Sequence, residues 1–112
     1  MERFVKGDVV VIPFPFSDLS QAKKRPAMVV TRLEGQDVIL CQITSQDVQD
    51  QYAIPIEKND FQEGSFKQTS NIRPNRLFTA DSSIVLYKVG HLKNEKIQQI
   101  VDRIIVIIKN SD

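Results

Sequence analysis

Residues 26–44, PAMVVTRLEGQDVILCQIT, place two strand-forming runs on either side of Glu34-Gly35-Gln36-Asp37. A turn signal between two such runs predicts an antiparallel hairpin, with Pro26 opening a strand over AMVVTRL and a further strand over VILCQIT. A lone hairpin cannot hold its apolar face out of water, so other strands must lie beside it. The chain supplies them. Asp8-Val9-Val10-Val11-Ile12 closes at Pro13 and predicts a strand ahead of the hairpin. Tyr52, Ile54 and Ile56 alternate with Ala53 and Pro55, a strand that its proline places at an edge or an end of a sheet. Thr69–Arg73 and Ser83–Val89 predict two more short strands, and Lys58–Gly64 a helical turn.

The period changes near the C-terminus. Ile97, Ile100, Val101, Ile104, Ile105 and Ile108 recur at spacings of three and four, the stripe of an amphipathic helix. Asn94 is placed to cap it, with Glu95 near the positive end of its dipole. The β-branched run 104–108 opposes helix formation, so burial of the stripe must supply the stability; the alternative is a strand over the last turn. Many short strands and one terminal helix define a mainly β (α+β) chain, a small barrel with a packed C-terminal amphipathic helix. With 112 residues and no repeat or linker-like shift in composition, residues 1–112 read as a single domain.

Composition removes several function classes. Apolar residues make up 41% and charged residues 26%, which suits a folded globular chain rather than a disordered one. A net charge of +1 gives no general attraction to nucleic acid or membrane, so any nucleic-acid site must be local. One cysteine and one histidine cannot form a disulfide or a Cys/His zinc site, which fits a reducing cytoplasm. No apolar stretch approaches a membrane span, and the first residues lack a secretory pattern. Phosphate-binding glycine loops, nucleophile elbows and clustered acids at metal-ligand spacing are absent from the sequence, so neither a metal nor a cofactor is expected.

What remains is Lys23-Lys24-Arg25 where the long loop 14–24 becomes a strand, and Thr44-Ser45-Gln46 where the next strand ends. The start of one hairpin strand lies beside the end of its partner, so Arg25 and Thr44 should meet at one edge. A guanidinium fork and a hydroxyl donor together suit a phosphodiester. Two readings stay open on chemistry alone: a phosphate site, or a solvated cationic edge that deters aggregation beside ordinary turn residues. Phe14 and Phe16 read first as core packing, with stacking on unpaired bases the alternative and Phe16 the better candidate for it. Cys41, between apolar neighbours, reads as core. His91 reads as a surface or capping histidine rather than a general base.

GDVVVIPFPFSDLSQAKKRPAMVVT followed by CQITSQ resembles the MazF/PemK growth-inhibitor family, which pairs a Gly-Asp-apolar opening with Arg-Pro and a further apolar run, then a Thr-Ser or Thr-Thr strand end. The likeness continues through SNIRPNRLF and VGHLKNEKI over nearly the whole chain. It implies an SH3-like barrel of the MazF/CcdB type acting as a homodimer. It also implies sequence-selective, metal-independent cleavage of single-stranded RNA through the RNA's own 2′-hydroxyl, held in check by a cognate antitoxin. DNA would be met only indirectly, through an antitoxin complex. By the same resemblance Arg25 and Thr44 carry catalysis, while Phe16, Lys23, Lys24, Ser45 and Gln46 are candidates to bind RNA. The chain departs from the family pattern at Ser70-Asn71-Ile72, where relatives carry an acidic residue and a glutamine before isoleucine, and at Lys93, where a serine cap is common. The competing expectations are a non-catalytic barrel that binds a protein such as a topoisomerase, and a relative that has lost turnover.

Overall fold

The computed structural model describes residues 3–14, 20, 22–46 and 50–110. Seven strands run in chain order as β1 (Asp8–Phe14), β2 (Lys23–Arg32), β3 (Asp37–Thr44), β4 (Ile54–Ile56), β5 (Phe61–Gly64), β6 (Ser70–Asp81) and β7 (Tyr87–Leu92), followed by helix α1 (Asn94–Lys109). They form one curled sheet in the order β4-β6-β3-β2-β1-β7-β5, with each recorded pair antiparallel. The expected small barrel is a seven-stranded half-barrel closed over by one terminal helix.

The curl buries both faces of the central strands. Val9, Met28, Cys41 and Ile43 face one core, completed by Ile97, Ile100 and Ile104 of α1. Val10, Ile12, Ala27, Val29, Val38 and Leu40 face the other, covered by Phe4, Phe14, Phe78 and Ile84. This explains the unbroken apolar run of β1: alternate residues enter opposite cores, so no polar face is needed. The β2–β3 turn requires Gly35, whose φ of +69° suits glycine.

Several expected boundaries move. β2 starts at Lys23, not at Pro26, because Lys23, Lys24, Arg25 and Pro26 pair with Phe14, Pro13, Ile12 and Val11 of β1. The segment 69–73 is only the first half of β6, which resumes its pairing with β3 at Leu77 opposite Cys41 after a bulge over 74–76; a proline tolerated at a bulge reads in the sequence as a stop. The strand expected over Ser83–Val89 begins instead at Tyr87. Residues 82–84 form a 3₁₀ turn, held by Asp81 Oδ1 accepting the Ser83 N–H at 2.8 Å. Lys58–Gly64 splits into a 3₁₀ turn over 58–60 and edge strand β5. β4 is an edge strand, as its proline required.

Helix α1 is present to its last turn, so helix prevails over strand there. Its N-cap is Lys93, with no capping side chain, and Asn94 already lies inside the helix. The entering backbone is fixed instead by the Lys93 N–H on the Asp60 carbonyl at 2.8 Å and the Ile97 N–H on Lys93 at 3.0 Å. Ile105 and Ile108 do not share the buried stripe and are 43% and 66% exposed. Ile108 lies on the meridian of Ile97 and Ile104, so among the described residues the last turn has little packed beneath it.

Candidate active site

Pro26 has no N–H to donate, and the β2–β3 ladder begins one residue later, at Ala27 opposite Gln42. Continued by two residues, that register sets Arg25 opposite Thr44. Beyond Ala27, β3 pairs on its other side, with Ile43 opposite Ile72 and Thr44 opposite Asn71 of β6. The missing donor thus ends the ladder where the two strands must part, and a cavity of about 470 Å³ opens between them.

Lys24, Arg25, Thr44 and Ser45 line this cavity. Lys23 does not; it lies at the start of β2, exposed, opposite Phe14. Gln46 contributes backbone: its N–H donates to Thr44 Oγ1 at 3.1 Å, and its carbonyl accepts from Asn71 Nδ2 at 3.2 Å. Phe16 lies outside the described residues. Phe14 packs against Phe78 with ring centroids 5.6 Å apart, so it is a core aromatic.

The opposite wall was not legible in the sequence. Phe66, Lys67 and Gln68 come from the segment joining β5 to β6, and Ser70 from the start of β6. Only the change at Ser70-Asn71 hinted at them, because the strand pairing that carries this segment to the cavity is long range. Among the described residues the lining includes three cations, Lys24, Arg25 and Lys67, and no carboxylate. In a chain of net charge +1 this is a local concentration of positive charge, suited to an anion.

A larger concavity, about 640 Å³, lies beside the end of α1 and is lined by Gln51, Tyr52, Arg103 and Val106 among others. Its guanidinium is already committed, since Arg103 Nη1 donates to the Gln51 carbonyl at 2.9 Å. The smaller cavity, with hydroxyl and cations converging, is the better phosphate site.

The remaining polar chemistry is structural. Asp8 is 2% exposed and accepts the Val5 N–H at 2.9 Å on Oδ2. On Oδ1 it meets His91 Nδ1 at 2.7 Å and Lys88 Nζ at 3.4 Å. Lys88 also reaches Glu63 at 2.9 Å, and that hydrogen bond, with Asp8, raises its pKa above 10.5 against partial desolvation. His91 is therefore neither a surface nor a capping residue but a strand partner of buried Asp8. The cluster stands four residues along β1 from Ile12, the partner of Arg25, or about 13 Å of strand. Gly7 precedes Asp8 at φ +96°, a left-handed backbone that favours glycine, and a Cβ there would also crowd the Ile97 side chain. The Gly-Asp opening thus serves the fold. Cys41 is core, its thiol pushed up to about 12 by burial, partly offset by a backbone hydrogen bond at Met28. Among the described residues no group of His, Cys, Asp and Glu could hold a metal ion, and no helix is long and apolar enough to cross a membrane.

The family model for the PemK-like, MazF-like toxin of type II toxin-antitoxin systems matches residues 5–108. No curated protein matches the chain in sequence. Among solved structures, an endoribonuclease in complex with its cognate antitoxin from a mycobacterial species superposes with a TM-score of 0.76 at 10% identity, covering 98% of this chain and 99% of that one. MazF of the MazE-MazF complex from Deinococcus radiodurans gives 0.75 at 10% identity, over 99% and 100% of the two chains. The Mycobacterium tuberculosis toxin MazF-mt6 gives 0.70 at 15% identity, over 94% and 98%. At these identities the likeness is one of fold.

Proposed function

The chain belongs to the family of PemK-like, MazF-like toxins of type II toxin-antitoxin systems, and from that premise we propose that it is an endoribonuclease cutting single-stranded RNA in the cavity between Arg25 and Thr44. The observation that carries this reading is that a guanidinium and a hydroxyl line one cavity at a parted strand edge, with Lys24 and Lys67 alongside and no acid among the described lining residues.

The reaction uses the substrate's own nucleophile. The 2′-oxygen attacks the adjacent phosphorus, the bond to the 5′-oxygen breaks, and the products are a 2′,3′-cyclic phosphate and a 5′-hydroxyl. The 2′-proton is lost and one is gained by the leaving oxygen, so the step requires no external nucleophile; DNA, without that hydroxyl, is not a substrate. Arg25 stabilises the charge that grows on the non-bridging oxygens. The Gln46 N–H occupies a lone pair of Thr44 Oγ1, which leaves the hydroxyl hydrogen to donate to the same phosphate. Lys24 and Lys67 hold the backbone on either side, with Ser45, Gln46, Lys23 and Phe16 as further RNA contacts. The same reading includes metal independence, sequence selectivity, a homodimer, a cytoplasmic setting and a cognate antitoxin that occupies the RNA groove; the solved endoribonuclease in complex with its cognate antitoxin supports the existence of such a partner.

The test is cleavage of a long single-stranded RNA in EDTA, with ends mapped by primer extension. Arg25→Ala and Thr44→Ala should each lower the rate by about 10²–10³. A folded, antitoxin-free wild type that leaves RNA intact would remove the nuclease reading in favour of a barrel that acts by binding a protein.

A further inference from the structure

β6 lies between β3 and β4, and two of its side chains meet residues that follow Thr44 and precede Ile54. Asn71, opposite Thr44, donates from Nδ2 to the Gln46 carbonyl. Arg73, opposite Gln42, donates from Nη2 to Asp50 Oδ2 at 2.6 Å. Asp50 Oδ1 in turn accepts the N–H groups of Tyr52 and Ala53, each at 3.0 Å. Arg103 of α1 holds the Gln51 carbonyl.

Gln46 and Asp50 are therefore each tied to β6, and the first of these ties leads straight to the proposed site. Asn71 fixes Gln46, and the Gln46 N–H fixes Thr44 Oγ1. The Arg73 side chain is 15% exposed, and its buried Nε has no hydrogen-bond partner. Its guanidinium donates to Asp50, so the work of Arg73 is to hold that residue against β6.

We propose that Asn71 and Arg73 are positioning residues: they pre-set the segment after Thr44 on β6, and through the Gln46 N–H they aim the Thr44 hydroxyl at the scissile phosphate. This rests on the endoribonuclease reading and adds to it that the donor is oriented before RNA arrives. Preorganisation of this kind acts on the transition state more than on substrate binding.

The test uses Asn71→Asp, which keeps size and shape but loses the amide donor, with Arg73→Met and Arg73→Lys beside it. On a short single-stranded RNA, Asn71→Asp should lower kcat about 10- to 100-fold and leave KM within about twofold, with Arg73→Lys recovering part of what Arg73→Met loses. Under single-turnover conditions the double variant Asn71→Asp/Thr44→Ala should cut no more slowly than Thr44→Ala alone. Amide hydrogen exchange at Gln46 should be slow in the wild type and faster in Asn71→Asp, a readout that needs no activity. Losses that add in the Thr44→Ala background, or an Asn71→Asp protein with wild-type kcat, would overturn the proposal even if the wild type is a nuclease. A wild type with no cleavage but a protected Gln46 amide would remove the nuclease reading while leaving the geometry standing.

Discussion

At the scale of single residues, the polar side chains fall into two groups with different work. Asp8, His91, Lys88 and Glu63 tie β1, β5 and β7 together, whereas Arg73 ties Asp50 to β6. Partial desolvation pushes the Asp50 carboxyl up, but the N–H groups of Ala53 and Tyr52 and the Arg73 guanidinium together hold it below its ordinary value of 3.8. A carboxyl depressed on folding adds stability that is present above the unfolded value and lost as pH falls through the folded one. Acid should therefore weaken the hold of Arg73 on Asp50 below 3.8, and Asp50→Asn should flatten that part of the profile. Urea unfolding midpoints taken between about pH 5 and pH 3 test this; parallel curves for wild type and variant would mean that Asp50 is not linked to folding.

At the scale of elements, Pro26 and the C-terminal stripe show how local chemistry sets geometry. Pro26 suggested the start of a strand, and instead it marks where β2 stops pairing with β3. Helix α1 forms despite its β-branched run because Ile97, Ile100 and Ile104 enter a core to which all seven strands contribute apolar side chains. The buried and exposed isoleucines should therefore separate sharply. Ile100→Ala, at 0% exposure, should cost about 2–5 kcal/mol, while Ile108→Ala, at 66% exposure, should change stability by about 0.5 kcal/mol or less. Denaturant unfolding of both variants decides it, and equal losses would mean that the last turn is covered in solution.

At the scale of the whole molecule, a nearly neutral chain concentrates cations at one cavity. Lys67 reaches it only because β5 lies at one edge of the sheet and β6 near the other, so the segment joining them must pass across the barrel. Neutralised RNA phosphates make affinity depend on salt, with a slope of about 0.7 per contact for single strands. Lys67→Ala should weaken RNA binding and reduce the magnitude of that slope by about 0.7, whereas Lys109→Ala, at the exposed end of α1, should leave it unchanged. Filter binding over a salt series with a cleavage-blocked 2′-deoxy analogue measures both.

The sequence by itself determined the elements that rest on local rules. Alternation and β-branched runs marked β1 to β4, the period of three and four marked α1, and Arg25 and Thr44 could be set at one edge because hairpin pairing is nearly local. The tertiary structure decided what depends on contacts between distant residues: that β6 runs on past Pro74, that β7 starts late, that His91 serves Asp8, and that Ile105 and Ile108 stay exposed. It also supplied the far wall of the cavity and the hold of Asn71 and Arg73 on the segment after Thr44. Those features arise because the sheet curls and brings β6 between β3 and β4, and no spacing along the chain encodes which side chains that arrangement will bring together.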